Sequence, residues 1–134
     1  MKFALVTLAA AAAALVGAAS PGSADRQGVD ASATARACFR TNDMRNHTFD
    51  GDRTVYVSTT RDVYRIGMAG SCTSGATNSD TIIVSTVGGS GIVCRPIDLD
   101  LHVQIGGAVS PCIVDSIQRL TPAETAALPP KLRP

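Results

Sequence analysis

Tryptophan is absent, and aromatic residues make up only 4% of the 134 positions, so any core must be built from valine, isoleucine, leucine and alanine. Lysine occurs only at Lys2 and Lys131, and glutamate only at Glu124. With a formal net charge of +1 and no basic run, the chain offers no stripe of cations to track a phosphate backbone, which argues against nucleic-acid binding. Beyond the first twenty residues no apolar run is long enough to cross a bilayer as a helix, so no stable membrane span is expected there. Catalytic signatures are missing too. Gly89-Ser90-Gly91 lacks the spacing of a nucleophile elbow, and Gly88-Gly89-Ser90-Gly91 is not followed by the Lys-Ser/Thr of a phosphate loop. Closely spaced cysteine pairs, which structural zinc draws on at about two to four residues apart, do not occur, so no metal and no cofactor is expected at the cysteines.

The first twenty residues, MKFALVTLAAAAAALVGAAS, carry one positive charge at Lys2, then an alanine-rich apolar run, then small residues before Pro21. That layout predicts a signal peptide over 1–24, with cleavage after Ala19 or Ala24. Alanine is too weakly hydrophobic for the run to favour a permanent anchor. Small polar residues predict a flexible leader over 25–35, followed by a single disulfide-bonded β domain over 36–128 and a tail over 129–134. Export places the protein in the periplasm or outside the cell. There Cys38, Cys72, Cys94 and Cys112 are expected to form two disulfides, with Cys38–Cys112 and Cys72–Cys94 preferred because that pairing ties the domain's two ends together.

Within the domain, short β-rich runs alternate with turn residues. Strands are expected at 53–58, 62–68, 81–87, 92–94, 97–105 and about 111–117, with Gly88 to Gly91 forming a hairpin loop. Thr121-Pro122-Ala123-Glu124 carries a capping threonine, a proline at the first helical position and a glutamate three residues after the cap, so a short helix is expected through about Leu128. The fold class is therefore all-β, a small barrel or sandwich built as an antiparallel meander, with a short C-terminal helix. Tyr56 and Tyr64, with Arg53, Arg61 and Arg65, are expected to pack across a half-exposed hairpin.

Ile97 to Ile105, IDLDLHVQI, alternates apolar and polar residues without a break. Read as one strand, it turns Ile97, Leu99, Leu101, Val103 and Ile105 to the core and sets Asp98, Asp100 and His102 on one exposed side. Those three are the candidate ligand or surface site. A single strand cannot converge three donors on an ion, so a metal or acid-base role requires a further group from another strand, and His47 and Asp115 are the candidates.

Cys38-Phe39, Val55-Tyr56-Val57, Asp62-Val63-Tyr64-Arg65, Gly70-Ser71-Cys72, Ile92-Val93-Cys94 with Asp98 and Asp100, and Cys112-Ile113-Val114 leading to Leu120-Thr121-Pro122-Ala123-Glu124 together resemble a family of small exported bacterial four-cysteine proteins classed as a domain of unknown function. The likeness spans 38–128 and departs at Thr73-Ser74-Gly75-Ala76, where the family carries a more apolar segment. It implies a compact disulfide-bonded domain in a Gram-negative cell envelope and supplies no reaction to carry over. The functional expectation is a non-enzymatic envelope or periplasmic module that binds an envelope protein or ligand. The alternative is a small periplasmic metal-dependent or acid-base hydrolase using Asp98, Asp100 and His102.

Overall fold

In the computed structural model, which describes residues 38–134, the alternating runs become nine strands and one α-helix. The expected signal peptide over 1–24 and leader over 25–35 lie outside the described residues. In chain order the strands are β1 (Phe39–Arg40), β2 (Met44–Asp50), β3 (Thr54–Thr59), β4 (Val63–Met68), β5 (Thr81–Thr86), β6 (Ile92–Val93), β7 (Leu99–Ile105), β8 (Ala108–Cys112) and β9 (Val114–Arg119). The helix α1 is Pro122–Ala127. All pairings are antiparallel, in three sheets ordered β2-β3-β4-β9, β5-β7-β8 and β1-β6. No barrel closes. The arrangement is sandwich-like, with Val55, Val57, Ile66 and Met68 of the four-stranded sheet sharing a core with Leu99, Leu101 and Val103 of the three-stranded one.

Strand β3 is buried on both sides, because Tyr56 points away from the main core into a second cluster with Leu120 and Leu132. The segment 129–134, expected as a tail, supplies part of that cover. It forms a 3-10 turn at Pro130–Leu132, and its Leu132 carbonyl accepts a 2.6 Å hydrogen bond from the buried hydroxyl of Thr48. Tyr64 is buried as well. Its ring centre lies 4.8 Å from that of Phe39, and its hydroxyl donates to the Cys38 carbonyl. Both tyrosines therefore belong to the interior, Tyr64 in the main core and Tyr56 under the C-terminal segment on the other side of the hairpin, while Arg65 stays exposed.

Other expectations are corrected by topology. The disulfides are Cys38–Cys94 and Cys72–Cys112. Pairing of β1 with β6 sets Phe39 opposite Val93, which puts the flanking Cys38 and Cys94 side by side. A backbone bond from Ala69 N–H to the Ile113 carbonyl, 2.9 Å long, draws the segment after β4 toward the end of β8, where Cys112 meets Cys72. Gly88 to Gly91 does not close a hairpin, because β5 pairs with β7 while β6 pairs with β1. The expected strand at 111–117 is two strands that break at the exposed Ile113, where the chain passes from the three-stranded to the four-stranded sheet. Gly106 and Gly107 form the two-residue turn between β7 and β8. Both have positive φ, as a hairpin turn of the favoured twist requires. Among the described residues no helix is long and apolar enough to cross a membrane.

Candidate functional site

Asp98 does not share a strand face with Asp100 and His102. It closes a 3-10 turn at Pro96–Asp98, and β7 starts only at Leu99. Pro96 presets the backbone for this turn. The Asp98 carboxylate holds it by accepting from the Cys94 and Arg95 N–H groups and from the Arg95 guanidinium at 2.8 Å. The hydrogen bonds from the Arg95 side chain, followed by those from the backbone, hold Asp98 below the ordinary aspartate range. Ile97, expected in the core, is consequently off the pleat and 70% exposed.

Asp100 and His102 do meet on the outer face of β7. One Asp100 carboxylate oxygen faces His102 Nε2 at 3.0 Å, and the other accepts from the Ser85 hydroxyl on β5 at 2.9 Å. This looks like a serine, an aspartate and a histidine in line, but the order is wrong for nucleophilic catalysis. In an acyl-transfer triad the imidazole stands between hydroxyl and carboxylate, so that it can take the hydroxyl proton. Here the carboxylate stands between, and His102 Nε2 must donate to it. Of the two further groups considered, Asp115 lies on β9 and accepts from the adjacent Ser116 hydroxyl, and His47 lies on β2 bonded to the Asp80 carbonyl. Among the described residues no three His, Cys, Asp or Glu side chains converge as a metal site.

His47 belongs to a different place, a cleft of about 370 Å³ between β2 and β5. These two strands are edge strands of different sheets. Pairing of β2 with β3 skips Arg45, matching Met44 to Thr59 and Asn46 to Ser58, so Arg45 is the extra residue of a β-bulge. A bulge interrupts the alternation of side chains and re-aims them. Met44, Arg45, Asn46 and His47, the residues around this bulge, all line the cleft. Ile82 and Val84 of β5 contribute an apolar wall, and Asn78, Ser79 and Asp80 form the rim.

That rim is braced. Asn78 accepts from the Phe49 N–H at 2.8 Å and donates to the Lys131 carbonyl at 3.2 Å, tying the loop both to β2 and to the C-terminal turn. The Asp80 carboxylate turns back to accept from the Thr77 N–H and hydroxyl at 2.7 and 2.9 Å, and these bonds, the backbone one first, lower its pKa. The Asp80 carbonyl receives His47 Nε2 at 2.8 Å. A carbonyl only accepts, so Nε2 carries the proton and Nδ1 is left for other partners. The imidazole is steadied by the edge-on ring of Phe49, 5.2 Å away. Exposed Arg45 makes one long bond, 3.4 Å, to the Thr60 hydroxyl, and no ion pair among the described residues.

From the sequence His47 is only a candidate further group for the Asp98, Asp100 and His102 face, and the expected strands begin at 53. The available signal was Met44-Arg45-Asn46-His47 itself, where polar residues break alternation just before the strand-like Thr48-Phe49. No curated protein and no solved structure matches the chain. Residues 1–133 match the Family of unknown function (DUF6491), and with four cysteines closed as two disulfides on an all-β frame the chain belongs to that family.

Proposed function

We propose that this protein is an exported binding module of the cell envelope or periplasm, without catalytic activity of its own, and that its ligand enters the cleft between β2 and β5. The observation that carries the reading is a cleft between two edge strands, lined by the four consecutive residues around the bulge at Arg45, whose rim is braced by hydrogen bonds to β2 and to the C-terminal turn. At about 370 Å³ the cleft falls within the roughly 300–1,000 Å³ typical of small-molecule sites. Two disulfides suit an oxidising compartment, which supports export. The Ser85–Asp100–His102 chain serves as a cross-strand surface network, its hydrogen bonds spent on one another.

Expression of the full chain in a Gram-negative host tests the location. The expected product is found in the periplasmic fraction and begins after Ala19 or Ala24, whereas an unprocessed cytoplasmic product would refute export. Amide NMR shifts during titration with a panel of small polar fragments test the site. Saturable shifts are expected at 44–47 and 78–82, and shifts confined to the face around His102 would refute this placement.

A further inference from the structure

We infer that the cleft is selective for ligands bearing a carboxylate on a short apolar body; this rests on the cleft being the binding site. The argument is one of unspent hydrogen-bonding capacity. Of the charged groups on the lining, Asp80 is turned back onto its own loop, its Oδ2 accepting both Thr77 bonds, while the Arg45 guanidinium has only one long bond to a neutral hydroxyl. The guanidinium is the cation of the lining and has donors to spare for a ligand's charge. A guanidinium presents paired N–H donors that match the two oxygens of a carboxylate, and charge-assisted bonds of this kind are about twice as strong as neutral ones. Asn46 and Ser79 also line this mouth.

Selectivity for an apolar body comes from Ile82 and Val84 on the facing strand together with Met44 beside Arg45. Met44, Ile82 and Val84 are partly buried and packed on the main core, so they form a fixed hydrophobic surface rather than loose side chains. A molecule with its carboxylate at Arg45 lays its chain along this wall. Two sources present that chemistry, a free short-chain acid and the C-terminus of a peptide ending in an aliphatic residue.

The test uses the exported protein with both disulfides intact, followed by amide and arginine side-chain NMR during titration with hexanoate, hexanamide, hexylamine and N-acetyl-alanyl-leucine. Saturable shifts at 44–47 with hexanoate or with the peptide are expected, and the tighter of the two identifies the source. Arg45→Gln should weaken that binding at least about tenfold, and hexanamide binding by much less, since only the carboxylate loses a charge-assisted bond. Arg45 is exposed, so the variant retains the fold. Hexylamine or hexanamide binding as tightly as hexanoate, or an unchanged affinity in Arg45→Gln, would overturn the carboxylate assignment while leaving the cleft as the site. No shift at 44–47 with any of the four probes would overturn both.

Discussion

Thr48 and His102 illustrate how differently two polar residues on strands are used. Thr48 is buried, and its hydroxyl supplies the Leu132 carbonyl with a partner 2.6 Å away. Thr48→Val preserves shape but leaves that carbonyl unpaired inside the protein, so a loss of about 1–3 kcal/mol is expected in urea denaturation. An unchanged midpoint would mean that water replaces the hydroxyl. His102 sits on the outer face, and its partner Asp100 has half of its side chain in solvent. Exposed pairs of this kind contribute little. His102→Ala should therefore shift stability by no more than about 0.5 kcal/mol, and a drop of several degrees in melting temperature would show that the network carries structural load. At this scale the alternation of Leu99, Leu101 and Val103 was fully legible, because a strand with one wet face shows its period directly. Asp98 and Ile97 were not legible as turn residues, since they continue the same apolar-polar alternation and only Pro96 hints that the strand has yet to begin.

Among the elements, α1 was the easiest to read and β2 the hardest, and the contrast has a physical basis. The start of α1 is governed locally. The Thr121 hydroxyl accepts from the Glu124 N–H, and the Glu124 carboxylate accepts from the Thr121 N–H, so four adjacent residues specify it. Strand β2 depends on distant partners. Its Arg45, Asn46 and His47 gain their places from β3, from the Asn78–Asp80 rim and from the bulge, none of which a local window contains. The same local logic makes an acid-stability prediction. Glu124, Asp98 and Asp80 each accept backbone N–H bonds at a turn or helix start, and all three have lowered pKa values: Glu124 and Asp80 chiefly through those backbone bonds, Asp98 chiefly through Arg95. A carboxylate whose folded pKa lies below its unfolded value stabilises the fold fully above the ordinary range, 3.8 for Asp and 4.5 for Glu, and loses that contribution as pH falls through the folded value. Stability should thus decline between about pH 5 and pH 2, and Glu124→Gln with Asp98→Asn should flatten the decline. A variant as acid-sensitive as the parent would place the titration elsewhere.

For the whole molecule, the question is what holds three small sheets together on a core with few aromatic residues. The disulfides do this in different ways. Cys38–Cys94 ties the ends of β1 and β6, which already pair, whereas Cys72–Cys112 links the segment following the four-stranded sheet to the last residue of the three-stranded one. By chain entropy alone the bonds are near equals, since they span 56 and 40 residues and each restricts the unfolded chain by about 4 kcal/mol. Packing breaks the tie. Cys112 is itself a buried core residue and Cys72 packs against the core, while Cys38 and Cys94 are only half-buried. Replacing Cys72 and Cys112 together by alanine removes a link between sheets and buried volume at once, so it should cost more in urea denaturation than the Cys38, Cys94 double replacement, despite the shorter loop. Against a total stability on the order of 5–15 kcal/mol, losing both bonds should leave the domain unfolded or nearly so. The pairing itself is checked by cleaving the unreduced protein before Asp62, Asp80 and Asp98, which puts Cys38, Cys72, Cys94 and Cys112 on four different fragments. Mass spectrometry should then find the Cys72 fragment joined to that of Cys112. If instead the Cys38, Cys94 replacement proves the more damaging, the two-stranded sheet, and not the bridge between the larger two, is what the fold depends on.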